Sequence, residues 1–146
     1  MSCLLLEGPR GAGKSTTIKE AVGPYLDKTG GFFAKRIFVA SKLRGFSLCC
    51  LKGSEDYVLN GDVRDLGQAD NLFYYSDDQG NWLKDLQVFE KLGNACLARK
   101  SIMDKKLIVL DEIGGIEINC PSFMKNLEDL LNGQTAVLGV LKAAKN

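Results

Sequence analysis

The stretch Leu4-Leu5-Leu6-Glu7-Gly8-Pro9-Arg10-Gly11-Ala12-Gly13-Lys14-Ser15-Thr16-Thr17 decides the fold of this chain. An apolar run ends at Gly8, and the eight residues from Gly8 to Ser15 match G-x-x-x-x-G-K-[ST], the phosphate-binding loop or Walker A motif. Apolar residues then recur at helical spacing, at Ile18, Ala21, Val22, Tyr25 and Leu26. The sequence therefore predicts a buried strand, a phosphate-binding loop and a helix in direct succession.

Each residue type in this loop has a chemical reason. Glycine lets the backbone fold tightly around an anion and turn its N–H groups inward. The Lys14 ammonium can reach the β- and γ-phosphates, the Ser15 hydroxyl can ligate Mg²⁺, and the positive end of the following helix points at the phosphates. The nucleotide-binding residues predicted here are Gly8, Pro9, Arg10, Gly11, Ala12, Gly13, Lys14, Ser15 and Thr16.

Length, charge and apolar runs limit the classes of protein to which the chain can belong. The 146 residues predict a single domain over 1–146, and a net charge of +1 gives no bulk attraction to nucleic acid or anionic membranes. The apolar runs are too short to cross a bilayer, and Met1 leads into a strand without a signal-peptide pattern. We therefore expect a cytoplasmic protein that binds neither membrane nor nucleic acid.

The cysteines and histidines argue against a protein-built metal centre. The chain has five cysteines, whose spacing fits no metal motif, and no histidine, the commonest metal ligand and general base. In a cytoplasmic protein, buried reduced thiols are the ordinary state of such cysteines. We therefore expect no disulfide.

The rest of the chain predicts strands alternating with helices, which is typical of an α/β fold with a mostly parallel sheet. We predict a β-hairpin over 31–39 and 44–51, a loop over 52–70, and a short strand over 71–75. A helix over 83–103, a strand over 107–110, a helix from Pro121 to Asn132-Gly133, and a last strand over 135–141 follow.

The second stretch with chemical meaning is Leu107-Ile108-Val109-Leu110, followed by Asp111 and Glu112. A continuous aliphatic run is typical of a strand covered on both faces, and ligands of open α/β sheets bind at the carboxyl ends of strands. Asp111 therefore falls where a Walker B aspartate would hold Mg²⁺ with Ser15. Glu112 comes next and points differently, so it can accept a proton from an attacking water as a general base.

These motifs resemble those of the small P-loop nucleoside-triphosphatases of the cancer-related type. The resemblance rests on Gly8 to Thr16, Gly31-Phe32-Phe33, Gly45-Phe46, Phe89-Glu90, and Asp111-Glu112-Ile113-Gly114 with Glu117, and it covers nearly the whole chain. It implies a RecA-like P-loop fold with an inserted hairpin that hydrolyses ATP, GTP, CTP and UTP with Mg²⁺. It also implies nucleotide contact by Leu110, Asp111, Glu112, Ile113, Gly114, Gly115, Ile116 and Glu117.

The chain departs from that family at three places. Residues 34–38 replace the usual acidic and arginine-bearing start of the hairpin, and Gly115 replaces a basic residue. The family usually continues past the last strand, whereas this chain ends at Asn146. From this shortening we expect 135–141 to form a poorly protected edge strand that promotes self-association.

Two alternatives to hydrolysis stay open on the sequence: a nucleotide or nucleoside kinase, and a nucleotide-dependent switch or assembly module with little turnover. Kinases of this fold need an arginine-rich lid, and arginines are few: Arg10, Arg36, Arg44, Arg64 and Arg99. Arg44 precedes Gly45-Phe46 and is the candidate for an arginine that reaches the γ-phosphate, in cis or from a neighbouring subunit. A solvated turn residue is the alternative interpretation of Arg44.

Overall fold

Eight strands form one mixed sheet in this computed structural model, which describes residues 3–7, 13–52, 57–113 and 116–141. The strands are β1 (Cys3–Leu6), β2 (Thr29–Val39), β3 (Lys42–Cys50), β4 (Asn60–Val63), β5 (Leu72–Ser76), β6 (Trp82–Lys84), β7 (Leu107–Ile113) and β8 (Ala136–Leu141). The α-helices are α1 (Lys14–Val22), α2 (Asn94–Leu97), α3 (Arg99–Ile102) and α4 (Pro121–Leu131). Short 3₁₀ segments cover Gly23–Lys28, Leu66–Gln68 and Ile116–Asn119, and a π-helical turn covers Phe89–Gly93.

The sheet has a parallel half and an antiparallel half. Its strand order is β1-β8-β7-β2-β3-β5-β6, with β4 paired to β2 outside this path. Strands β1, β8, β7 and β2 run parallel, β4 also runs parallel to β2, and β3, β5 and β6 pair antiparallel. The predicted α/β class is confirmed, and Asp111 lies on β7 of the parallel half.

Helices cover both faces of the parallel half. Ile18 and Val22 of α1 pack with Val109 and Val140 on one face. On the other face, α4 and the π-helical turn supply Phe123, Leu127 and Phe89 to a core that includes Ile108 and Leu110. Because side chains alternate along a strand, Asp111 falls on the α1 face, two residues after Val109.

The predicted hairpin is present and extends beyond the parallel half. Strand β2 pairs with β7 only over Thr29 to Phe32, whereas it pairs with β3 from Phe32 to Val39. The turn lies at Ala40 and Ser41, whose φ values of 51° and 66° belong to the left-handed region that tight hairpin turns require. The hairpin therefore projects past the level at which β2 leaves β7.

Gly31 allows β2 to approach β7 closely. It has a φ of 101°, and a Cβ added there would lie 2.0 Å from the Val109 carbonyl oxygen. A side chain at this position would push the two strands apart. Gly31 therefore helps to place the hairpin directly beside β7, the strand that carries Asp111.

The predicted helix over 83–103 is wrong in both its start and its continuity. Trp82–Lys84 form β6 on β5, where the Trp82 and Tyr74 rings pack with centroids 4.7 Å apart. The later residues divide into the π-helical turn, α2 and α3, and the break at Ala98 has φ −60° and ψ 142°. Cross-strand aromatic packing outweighs helical periodicity here.

The predicted loop over 52–70 is also wrong in part. Strand β4 forms there, and a 3₁₀ turn follows it with Asp65 as its cap. The Asp65 side chain accepts a hydrogen bond from the Gly67 N–H at 3.0 Å. The sequence does not predict β4 because the strand is short and lies in a polar segment. Only four of its residues, Asn60 to Val63, pair with β2.

The last strand is not an edge strand, so that prediction is wrong. Strand β8 lies between β1 and β7, and its Val137 and Val140 are buried. The connection from β7 through α4 returns the chain parallel to β7, and β8 fills the place between β7 and β1. The edge strand of the parallel half is instead β1, in which Leu4 is 60% exposed. Self-association stays a prediction, and it now concerns pairing through β1.

A disulfide links Cys50 of β3 to Cys96 of α2, so the expectation of reduced thiols is wrong for this pair. The two Cα atoms are 5.4 Å apart, and both residues belong to the core beneath α4. The bridge joins positions 46 residues apart, which corresponds to about 4 kcal/mol of stabilisation in the chain-entropy description. Of the cysteines outside this bridge, Cys3 is exposed and Cys120 is buried.

Candidate functional site

A hydrogen bond joins the two residues that the sequence predicts as metal ligands. The Ser15 hydroxyl at the start of α1 donates to Asp111 Oδ1 at the end of β7, at 2.9 Å, across 96 residues of sequence. Asp111 is only 2% exposed. A buried carboxylate beside a hydroxyl, next to the first turn of a helix, forms a site that suits a cation and the anion bound to it.

The first turn of α1 has the geometry expected after a phosphate-binding loop. Gly13 is left-handed with φ 83°, a conformation that glycine adopts at little cost. Thr17 donates its N–H at 2.9 Å and its hydroxyl at 2.8 Å to the Gly13 carbonyl oxygen. Lys14 is the first residue of the helix. The predicted contacts at Gly8, Pro9, Arg10, Gly11 and Ala12 lie outside the described residues.

The predicted segment from Leu110 to Glu117 divides into parts with different positions. Leu110 is fully buried toward α4, so a nucleotide contact there would involve its backbone. Glu112 and Ile113 continue the β7 backbone, and Ile116 begins the 3₁₀ segment. The predicted contacts at Gly114 and Gly115 lie outside the described residues.

Glu117 is a buried carboxylate, 2% exposed. Burial raises the pKa of the Cys120 thiol, and the charges of Glu90 and Glu117 raise that pKa further. Glu117 therefore lies within electrostatic range of a thiol that belongs to the core beneath α4. The sequence predicts Glu117 as a nucleotide contact, and that role stays a prediction.

Tyr57 is a neighbour of the site that sequence reasoning missed. Burial raises the pKa of Tyr57 well above its usual range, and the negative charge of Asp111 raises this pKa further. The Tyr57 hydroxyl therefore lies within electrostatic range of the Asp111 carboxylate. The Tyr57 ring stacks on Phe33 of β2, with centroids 4.5 Å apart. The residue lies in a segment that reads as loop and carries no motif. The signal that was available is a tyrosine next to Val58 and Leu59, a short apolar run in an otherwise polar segment.

The described structure does not bring Arg44 to Ser15 and Asp111 within one chain. The Arg44 guanidinium donates to the Ser76 hydroxyl at 2.7 Å and to the Ser76 carbonyl oxygen at 3.0 Å, and it lies 3.6 Å from Asp78. Cys49 of β3 pairs with Phe33 of β2 near the level of Asp111, and Arg44 precedes Cys49 by five residues. Five residues of strand span about 17 Å, so Arg44 lies about that far along β3 from this level. A contact supplied by a neighbouring copy stays a prediction.

Arg44→Ala tests this contact from a neighbouring copy. We expect turnover to fall about tenfold or more while nucleotide affinity changes little, because an arginine supplied in trans acts on charge that develops during phosphoryl transfer. Melting temperature should be measured alongside, since the variant also loses the Ser76 hydrogen bonds. Arg64→Ala is the matched control, because Arg64 is an exposed arginine that directly follows β4. Wild-type turnover in Arg44→Ala would leave Arg44 as a tie between β3 and β5.

Comparison of sequences relates the chain to known nucleoside-triphosphatases. The family model described as NTPase matches residues 3–146. The nucleoside-triphosphatase THEP1 of Thermotoga petrophila is 28% identical over 143 residues, which are 98% of this chain and 73% of that protein. The nucleoside-triphosphatase THEP1 of Methanosarcina barkeri is 30% identical over 142 residues, which are 94% of this chain and 75% of that protein.

Comparison of structures supports the same fold. The crystal structure of THEP1 from Aquifex aeolicus matches with a TM-score of 0.66 at 20% identity, covering 96% of this chain and 76% of that one. The solution structure of a human cancer-related nucleoside triphosphatase matches with a TM-score of 0.67 at 19% identity, covering 100% of this chain and 78% of that one. Both likenesses concern the arrangement of strands and helices.

Proposed function

This chain belongs to the NTPase family, and from that premise we propose that it is an Mg²⁺-dependent enzyme that hydrolyses ATP, GTP, CTP and UTP to the diphosphate and phosphate. The observation that carries the proposal is the 2.9 Å hydrogen bond from Ser15 to Asp111, at the start of α1. The names of the relatives favour hydrolysis over the kinase and switch alternatives.

The residues present suit Mg²⁺ that arrives with the nucleotide. Ser15 and Asp111 would hold the ion, since hydroxyl and carboxylate oxygens are the hard ligands that it prefers. Mg²⁺ usually binds through one or two carboxylates plus substrate phosphates, and the described residues contain no cluster of three or more metal-ligating side chains. When bound, the ion neutralises charge on the β- and γ-phosphate oxygens.

The start of α1 supplies the positive charge of the site. Lys14 is proposed to pair with oxygens of the β- and γ-phosphates, and the positive end of the α1 dipole is proposed to face the same phosphates. Gly8 to Thr16 are proposed to surround the phosphates through their backbone. These groups would act on charge that grows on the bridging oxygen as the terminal phosphoryl group departs.

Glu112 is proposed as the general base. The water oxygen forms a bond to the γ-phosphorus, the bond from that phosphorus to the leaving diphosphate oxygen breaks, and the water proton passes to the Glu112 carboxylate. Asp111 and Glu112 are consecutive residues of β7. The proposal assigns one carboxylate to the metal and the other to the proton.

The cytoplasmic location expected from the short apolar runs and the lack of a signal-peptide pattern stays a prediction. Cys50 and Cys96 form a disulfide, and disulfides are typical of oxidising compartments. The described residues contain no helix long and apolar enough to span a bilayer. Blocking free thiols in a freshly made extract, before and after reduction, would count how many cysteines are paired in the cell.

Phosphate release with the four nucleoside triphosphates, with and without Mg²⁺, tests the proposed function. We expect release to require Mg²⁺ and the kcat/KM values of the four substrates to fall within about tenfold, or about 1.4 kcal/mol. The chain has no Asn/Thr-Lys-x-Asp element for guanine, and stacking of a base on apolar surface tolerates any base.

A preference for one base above roughly a hundredfold would contradict this expectation, because it requires polar groups that the wrong base leaves unpaired. Consumption of ATP only in the presence of an added nucleoside, without phosphate release, would replace hydrolysis with kinase activity. Release that starts only when a second protein is added would favour the switch.

A further inference from the structure

Tyr57 carries a buried hydroxyl group that the described residues do not satisfy. Its side chain is 5% exposed, and its oxygen has no hydrogen-bond partner there. The ring already fills its place by stacking on Phe33 and packing in the cluster of α1 and β7. A phenylalanine would make the same apolar contacts without burying an unpaired polar atom. The hydroxyl is therefore not explained by packing.

The position of this hydroxyl relates it to the Ser15–Asp111 pair. Tyr57 belongs to the same cluster as Ile18 of α1 and Val109 of β7, and these residues lie on the face that carries Asp111. The Asp111 carboxylate acts electrostatically on the Tyr57 hydroxyl, although no hydrogen bond joins the two. A nucleotide bound between α1 and Asp111 would bring phosphate oxygens, which are strong acceptors, to this neighbourhood.

We propose that Tyr57 contacts the nucleotide and donates its hydroxyl proton in a hydrogen bond to an oxygen of the γ-phosphate group. The inference rests on the proposed function, since it takes Ser15 and Asp111 as the phosphate end of the site. It makes Tyr57 a residue that distinguishes a nucleoside triphosphate from the diphosphate, because only the former has the accepting group.

Tyr57→Phe removes the hydroxyl and keeps the ring. The affinity for a non-hydrolysable triphosphate analogue with Mg²⁺ should fall about tenfold, or about 1.4 kcal/mol, while the affinity for the diphosphate stays within about twofold. Turnover should fall at least as much as analogue affinity. The melting temperature without nucleotide should stay the same or rise, because the variant no longer buries an unpaired hydroxyl.

Ser47→Ala is the matched control. Ser47 of β3 is 4% exposed, and its hydroxyl likewise has no partner in the described residues. It lines a separate cavity of about 440 Å³ with Lys35 and Asn71. The control should leave both nucleotide affinities and turnover unchanged, so that only a hydroxyl near Asp111 affects triphosphate binding.

Three measurements together test the role of Tyr57. They are isothermal titration calorimetry of the triphosphate analogue and the diphosphate, phosphate release, and thermal melting. Equal binding of the triphosphate analogue by Tyr57→Phe and wild type would overturn the inference. So would an equal loss for both nucleotides with a lower melting temperature, which is the result of a purely structural role. If wild type binds the analogue but releases no phosphate, the proposed hydrolysis fails, while the binding comparison still tests Tyr57.

Discussion

Glu112→Gln should slow phosphate release by about 10²–10⁴, the usual worth of a positioned general base. The amide has nearly the same shape as the carboxylate but cannot take the water proton. Affinity for Mg²⁺ and for a non-hydrolysable triphosphate should stay close to wild type, because the proposed metal ligands Ser15 and Asp111 are intact. Single-turnover phosphate release, with analogue binding measured in parallel, separates the chemical step from nucleotide binding.

Two further variants make the Glu112 result specific. Asp111→Asn should weaken Mg²⁺-dependent nucleotide binding as well as turnover, because it removes a charged oxygen that already accepts from Ser15 at 2.9 Å. Glu128→Gln, an exposed glutamate on α4, should change neither quantity. A large loss of turnover in Asp111→Asn together with normal turnover in Glu112→Gln would show that Glu112 is not the base.

The features that the sequence predicts well depend on short stretches of chain. The pattern from Gly8 to Ser15 places a helix at Lys14, and the aliphatic run 107–110 predicts β7. The start of α1 and the end of β7 lie close together because the carboxyl ends of parallel strands lie along one edge of the sheet. This placement is enough to bring Ser15 and Asp111 together although 96 residues separate them.

The features that the sequence does not predict depend on contacts between distant segments. The position of β8 between β1 and β7 follows from where its neighbours pair, and nothing within 135–141 distinguishes a central strand from an edge strand. Trp82 begins a strand because it pairs with Ser76 of β5 and its ring packs on that of Tyr74. The Cys50–Cys96 disulfide likewise requires β3 and α2 to be packed already, since spacing alone cannot predict a pairing.

Tyr57 illustrates why part of the site escapes sequence reasoning. Motifs record residues whose spacing along the chain is fixed by a local turn or strand, as in the phosphate-binding loop. Tyr57 reaches the Asp111 neighbourhood through packing on Phe33, which lies 24 positions earlier in the sequence. Only the combination of burial, an unpaired hydroxyl and the nearby charge of Asp111 distinguishes it from an ordinary core tyrosine.

Lys14→Ala should lower kcat by roughly 10²–10³, the range observed when a single charge-stabilising group is removed from a transition state. The ammonium is proposed to act on charge that grows on the β- and γ-oxygens, and alanine removes this positive charge. Because Lys14 begins α1, and alanine is the better helix former, the variant should keep its fold and melting temperature.

Lys19→Ala, on the same helix but five residues further along, should keep turnover within about twofold, as expected for a surface charge away from the phosphates. Turnover of Lys14→Ala within a few-fold of wild type would remove the phosphate-binding loop from the mechanism.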